Sequence, residues 1–540
     1  MALRRGAPGP GPGPGPGPMQ VVQVQVQDQV QENQEKDHTL FTFTFTFTYT
    51  FHLHPGQANP LRGPGPSLWG RLPAKPKEAR VHDPDRPAAA STTAATPALP
   101  AEIEAAALDL LVQLVRIPTW QPDHVERPAA ELLADWLASD GLEPRLIEAA
   151  PGRSNLVVRY AGTGERPPLL LAGHLDTVPP GPAERWSHPP LAAEVHGGFL
   201  YGRGVLDMKG TVAAFATVLR ALAREKRKLR RDVILAAVAD EETGCAQGSR
   251  LLVERHPALV RAEYGLGEVG GFTQWIGGLP VYPVQVAEKG TARLRMTARG
   301  EAGHASLPRP DSAPVRLGEA IARLGRTRLP LHPTRTVALF LARLAAALPP
   351  PRRWALPRLL HPLLGGVILD RLIADPALRR NLGAMVANTI TPTILRGGEA
   401  VNQVPGEASC DMDGRLLPGQ SAADLIREVQ QVIGPRLELT LLDSEAGTEG
   451  SAETALFGII EEELRAAHPG AVVVPNLIPA YTDGRYFSRL GTTWYGFSPL
   501  RMPLEPGPSF ASLIHGFDER LPLDGFRWGL HVLYRVVCRA

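Results

Sequence analysis

Cysteine is scarce. The 540 residues hold three, Cys245, Cys410 and Cys538, with no CxxC pair among them. Three cannot all pair, which argues against a disulfide framework and for a reducing compartment. Long hydrophobic runs are lacking too: none reaches the roughly 18 residues of a membrane-crossing helix. The nearest, residues 337–348, is short and carries Arg343. Nor is there charge of one sign: 57 Lys+Arg stand against 55 Asp+Glu, so nothing points to nucleic acid. The basic run 224–231 follows a helix-like segment, where cations favour the helix dipole, and reads as a solvated face. Arg4 and Arg5 are followed by no apolar stretch of the kind a secretory signal needs. The expectation is a cytoplasmic protein with no membrane and no nucleic-acid partner.

What is present divides sharply. Residues 1–97 are low-complexity: Gly-Pro over 9–18, Val-Gln over 21–27, Phe-Thr over 41–51, then Ala, Thr and Pro. They are expected to be disordered, or a mis-called start translated from simple repeats. Beyond them the composition suits a large globular core, at 44% hydrophobic residues for the whole chain. Residues 169–172 and 233–239 are continuous apolar runs, as buried parallel strands should be. Helical patterns over 103–115, 128–139 and 209–224 alternate with them, which predicts an α/β domain with a doubly wound sheet. After Pro283 the style changes to alternating strands (284–298, 407–416) and helices (315–324, 422–433), a smaller α+β unit. It contains a Pro-broken helical stretch, 331–382. The α/β style returns near Ser444. The expected division is 1–97, a catalytic part 98–283, an inserted lid or dimerisation unit 284–443, and a second catalytic part 444–540.

The chemistry sits just after predicted strands. His174-Leu175-Asp176 ends an apolar run, Asp207 follows in Gly202-Arg203-Gly204-Val205-Leu206-Asp207-Met208-Lys209-Gly210, and Glu241-Glu242 follow Asp240. Open α/β sheets gather their ligands at such strand ends. Imidazole and carboxylate suit zinc, and also cobalt or manganese. The chain offers His174, Asp207, Glu242, Glu268 and His515 as ligands. Asp176, two residues after His174, is placed to take the other ring N–H and fix the tautomer. Asp207 has two oxygens with which to bridge two cations. Glu241 and Glu242 are neighbouring acids whose roles can differ, one binding metal while the other takes a proton from water. Taken singly, each motif has a bland reading: an HxD pair is usually structural, and an Asp-Glu-Glu run is usually a solvated loop. Order, spacing and repeated placement at strand ends change the odds.

Those three pieces match three signatures of one family, and Gly303-His304-Ala305-Ser306, Asp413-Gly414-Arg415-Leu416 and Ile514-His515-Gly516 agree with them. From about Ile103 onward the chain resembles the dinuclear zinc metallopeptidases that include aminoacylase, carboxypeptidase G, carboxypeptidase S and succinyl-diaminopimelate desuccinylase. It looks closest to the carboxypeptidase S and N-acyl-amino-acid hydrolase branch. The resemblance implies two Zn2+ per chain, one held by His174 and Glu268, the other by Glu242 and His515, with Asp207 bridging. It implies Glu241 as general base, Asp176 as the residue orienting His174, His304 stabilising the oxyanion (in several members from the neighbouring subunit), and Asn388 assisting. Arg415 or Arg485 would hold a substrate carboxylate. Gly267-Glu268-Val269 departs from the acidic-Gly-Gly run common at that point. The implied partners are a small peptide or N-acyl amino acid and a second copy joined through the inserted unit. A catalytically inactive binding or dimerisation module is the alternative; an esterase, or a synthase running the amide reaction backwards, would share the same motifs.

Overall fold

The computed structural model describes residues 99–504 and 510–540. The repeats expected to be disordered lie outside the described residues.

The largest sheet runs in the order Arg145–Ala150, Arg153–Tyr160, Val233–Val238, Leu169–His174, Tyr264–Gly267, Thr493–Gly496, Leu279–Glu288 and Thr448–Glu449, and Val472–Ile478 also pairs with Leu279–Glu288. Its centre is parallel: Leu169–His174 lies between Val233–Val238 and Tyr264–Gly267, and Thr493–Gly496 continues beyond. All six residues of Leu169–His174 and all six of Val233–Val238 are buried. Helices cover both faces of such a sheet, so its strands carry no polar side. Helix Lys209–Glu225 fits that role, with Val212, Phe215, Leu219 and Leu222 in the same core.

A separate four-stranded antiparallel sheet follows the order Thr389–Gly397, Glu407–Leu416, Gly290–Arg299, Glu438–Glu445. In Gly290–Arg299 the inward residues Ala292, Leu294, Met296 and Ala298 alternate with Arg293, Arg295 and Arg299. Helices Ala313–Arg326 and Ala422–Ile433 cover the apolar face. Ser421 and Asp424 form a reciprocal capping box that fixes where the second helix starts.

The run predicted as one strand, 284–298, is in fact two, interrupted at Lys289. Leu279–Glu288 belongs to the large sheet and Gly290–Arg299 to the small one. Gly290 is required there by close approach, since a Cβ would stand 2.2 Å from the Glu445 carbonyl oxygen. The helical stretch expected within the smaller unit packs elsewhere. Val337, Phe340, Leu341, Leu344, Leu382 and Met385 join the core of the large sheet, and helix Arg335–Ala347 lies on Val472–Ile478. That strand is mostly buried, and helix Ala455–Ala467, just before it in sequence, also packs against it. The stretch is a helical cover for the sheet.

Lys289 holds the junction. It is buried, and its Nζ donates to the Ala387 carbonyl at 2.8 Å and to Thr389 Oγ1 at 3.2 Å. Burial, with Arg415 adding repulsion, pulls its pKa down to about 7. An unfolded lysine titrates near roughly 10.4. Between these values the unfolded chain keeps a proton that the folded chain has released, so the folded state gains stability as pH rises. Lys289→Met should remove that gain. Melting temperatures compared from about pH 7 to pH 9 should converge or cross, with the wild type rising relative to the variant; parallel curves would refute the assignment.

Candidate active site

Three of the five candidate ligands are set by the large sheet. His174 is the last residue of its strand, Glu268 follows Tyr264–Gly267, and Glu242 follows Val233–Val238 by a turn. Asp207 differs from expectation in its origin. It lies on the turn between Phe199–Tyr201, a strand of a small three-stranded sheet, and helix Lys209–Glu225. His515 sits in a turn after helix Phe510–Leu513, in the left-handed region at φ 59°.

These residues meet in two groups that share Asp207: His174, Asp207 and Glu268, and Asp207, Glu242 and His515, with the ligand atoms of each group within 4.8 Å of one another. Asp207 Oδ1 is 3.0 Å from His174 Nε2, and its Oδ2 is 3.2 Å from His515 Nε2. Glu268 Oε2 is 3.5 Å from His174 Nε2, and Glu242 Oε1 is 3.1 Å from His515 Nε2. The unusual Gly267-Glu268-Val269 context therefore still delivers its carboxylate to the first group.

Electrostatics show what such a cluster lacks. Burial pushes Glu268 up to about 8 against the pull of His174, and pushes Glu241 well above the usual carboxylate range, with Glu268 adding repulsion. Burial pulls His174 down, but Asp207 and Glu268 outweigh it and hold the imidazole protonated well above its ordinary range. Hydrogen bonds to Asp207 and then Glu242 raise His515 to about 10. Buried acids that raise one another and imidazoles that cling to protons describe a cavity short of positive charge. One histidine and two carboxylates per group, with one carboxylate shared, are donors that suit zinc, cobalt or manganese. The residues present fit metal ions.

Residues 170–539 match Peptidase family M20/M25/M40. The chain belongs to this family. It is accordingly a metal-dependent hydrolase of the metallopeptidase and amidohydrolase kind. It is 28% identical over 403 residues to a probable carboxypeptidase S-like 2 of Dictyostelium discoideum, covering 71% of this chain and 74% of that protein. It is 29% identical over 364 residues to the N-fatty-acyl-amino acid synthase/hydrolase PM20D1 of Xenopus tropicalis, covering 66% and 69%. In fold it resembles the metallo-carboxypeptidase Sso-CP2 of Sulfolobus solfataricus, an M20 family member, with TM-score 0.59 at 17% identity, covering 80% of this chain and 99% of that one.

Other residues singled out from the sequence are less simply placed in this M20 chain. The Asp176 carboxylate was expected to take the His174 ring proton. Instead His174 Nδ1 meets the Asp176 backbone carbonyl at 2.9 Å, and the carboxylate Oδ1 stands 3.6 Å away. The carboxylate accepts the backbone N–H of Glu241 at 3.1 Å and of Glu242 at 3.0 Å. Asp176 thus meets the imidazole through its main chain and holds the Glu241-Glu242 turn through its side chain. His304 lies on the short pairing of Gly303–His304 with Gln403–Val404, exposed, its Nδ1 against Ser306 Oγ at 2.7 Å. It is not brought into either ligand group. Asn388 is buried with its amide engaged: Oδ1 accepts from Leu417 N at 2.9 Å, and Nδ2 donates to Glu428 at 3.2 Å and Gln420 at 3.4 Å. The two arginines meet at Tyr481, whose ring centre is 3.8 Å from the Arg485 guanidinium and 5.4 Å from that of Arg415. Arg415 is paired with Asp413 at 2.9 Å. Arg485 is mostly buried, and its Nε has no hydrogen-bond partner.

Sequence reasoning missed a supporting layer. Arg153 forks onto Glu126 with two 2.7 Å bonds and reaches Asp240 at 3.1 Å, bracing the residue before Glu241. Arg203 and Glu519 form a buried pair at 2.8 Å beside Asp207. The available signal was a charge lodged in an otherwise glycine-rich or apolar motif, as in Gly202-Arg203-Gly204.

Asp176→Asn tests the revised role. Asparagine keeps one acceptor oxygen and turns an NH2 toward the other backbone N–H. Turnover should fall about 10- to 100-fold, the scale for losing a group that orients ligands, with the far-UV circular dichroism unchanged. Wild-type turnover would remove Asp176 from the machinery.

Proposed function

We propose that the protein hydrolyses the amide bond of N-acyl amino acids or small peptides, using two divalent cations, zinc by preference with cobalt or manganese as alternatives. His174 and Glu268 hold one, Glu242 and His515 the other, and Asp207 serves both. The observation that carries this reading is the sharing of Asp207 between two three-residue ligand groups, with Glu241 beside them. When bound, such a pair of cations lowers the pKa of water and polarises a carbonyl.

Glu241 acts as general base. Buried beside both ligand groups and not itself one of their ligands, it is placed to take a proton from the attacking water and return it to the departing nitrogen. Asp176 holds the Glu241 main chain so that the carboxylate faces the ligand groups rather than solvent. Arg485 is the better of the two arginines for a substrate carboxylate, because Arg415 already has Asp413 while Arg485 has no carboxylate partner and keeps an unused Nε donor beside Tyr481. His304, exposed on the smaller unit, is suited to stabilise the oxyanion from a second copy or after closure of this unit over the site, which makes that unit a lid and a dimer surface. The relatives named above include a carboxypeptidase S-like protein and an N-fatty-acyl-amino acid synthase/hydrolase, so both substrate classes belong in one panel.

Dipeptides and N-acyl amino acids of increasing chain length should be cleaved by the metal-loaded protein and spared after chelation. Glu241→Gln should keep its metal content, read by elemental analysis, and lose about 10²- to 10⁴-fold in turnover; near-normal rates would refute the base assignment. Arg485→Met should raise KM about 10- to 100-fold for substrates with a free carboxylate, the scale of one hydrogen bond to a charged group. The corresponding amides should be unaffected, and an equal loss on both would assign Arg485 to packing.

A further inference from the structure

The two ligand groups are supported unequally. His174 and Glu268 end or follow neighbouring parallel strands, whose register fixes their spacing. Asp207 and His515 lie on turns outside that sheet, and a single buried carboxylate joins those turns. Glu519, four residues after His515, is fully buried. Its Oε2 accepts from Arg203 Nη1 at 2.8 Å and from Gly204 N at 3.1 Å; its Oε1 accepts from Leu206 N at 2.8 Å and from Asp207 N at 3.3 Å. Arg203 returns the link, its Nη2 donating to the carbonyls of Gly516 at 3.0 Å and His515 at 3.5 Å. The Gly202 N–H donates to the Glu519 carbonyl at 3.0 Å. Every lone-pair direction of the carboxylate is used on the Asp207 turn, and the arginine it anchors holds the His515 turn.

We propose that Glu519 is the positioning residue that assembles the Glu242–His515 side of the centre. It touches neither candidate ligand atom. It acts by holding the backbone of Asp207 and, through Arg203, that of His515. His515 and Asp518 are non-glycine residues in the left-handed region, at φ 59° and 54°. Such conformations persist only where the surroundings impose them. No neutral side chain of the same shape can do this, because a glutamine would present an NH2 to one pair of donors. The first group, braced by the sheet, depends on Glu519 only through its share of Asp207.

This inference rests on the two-cation reading, and its test separates the two. Stepwise zinc affinities are measured against a competing chromophoric chelator in the wild type, Glu519→Gln and Glu519→Asp. Amide hydrogen exchange is followed across residues 203–207 in the metal-free forms. Glu519→Gln should bind its first ion near wild-type affinity and its second at least about tenfold more weakly, with faster exchange at Leu206 and Asp207. Glu519→Asp, which keeps four acceptor positions, should recover part of both losses. Two ions bound at wild-type affinity by Glu519→Gln would overturn the proposal. So would loss of both ions together with a lowered melting temperature of the metal-free protein, which would make Glu519 a residue of the fold. Fewer than two ions in the wild type would defeat the two-cation reading instead. The exchange data then decide for Glu519 alone, unchanged rates at Leu206 and Asp207 counting against it.

Discussion

Asp207 divides its two oxygens between two imidazoles, and the rest of the catalytic architecture depends on keeping it there. Oδ1 faces His174 and Oδ2 faces His515, each within about hydrogen-bonding distance. The arrangement is electrostatically unsatisfied by the protein alone. Glu268 and Glu241 are pushed upward by burial, and the two imidazoles retain protons they would lose in water. Concentrating carboxylates in a desolvated space costs folding free energy unless a cation offsets it. A fold that maintains such a cluster is arranged around cations it does not carry in its own side chains.

The sheet explains why the cluster can be maintained. Four parallel strands ending side by side place His174, Glu268 and the Glu241-Glu242 turn along one edge. Parallel strands buried on both faces resist local opening, so the candidate ligands they carry inherit their rigidity. What the sheet does not reach is supplied by ion pairs: Arg153 with Glu126 and Asp240 beside Glu241, and the buried pair of Arg203 with Glu519 beside Asp207. Buried pairs of this kind add little to net stability, yet removing one partner leaves an uncompensated charge. Their value here is geometric, since they set backbone positions that apolar packing would leave loose.

Much of this was legible in the sequence. The apolar runs 169–172 and 233–239 announce buried parallel strands because no polar alternation interrupts them, and candidate ligands stand just beyond. The alternation of Ala292, Leu294, Met296 and Ala298 with arginines likewise announces a strand covered on one face, and that strand lies in the separate four-stranded sheet. The failures share one cause. Which group receives the His174 ring proton, which arginine has a carboxylate of its own, and which core the stretch 331–382 joins are all decided by residues distant in the chain. The partners of the Asp176 carboxylate, two backbone N–H groups some 65 positions later, carry no side-chain signature that a sequence could show.

The junction between the two sheets is likewise held by buried polar groups. Lys289 and Asn388 are both buried polar residues where the chain passes from one sheet to the other, and both are satisfied locally, by Ala387 and Thr389 and by Leu417, Glu428 and Gln420. A hinge made of apolar contacts could slide through many intermediate positions. One made of directional hydrogen bonds in a dry interior has few satisfied arrangements, because each misplaced donor or acceptor costs the full desolvation of that group. The junction therefore has few arrangements in which every buried donor and acceptor is satisfied. Asn388, with its amide engaged by Leu417, Glu428 and Gln420, spends its hydrogen-bonding capacity on this junction.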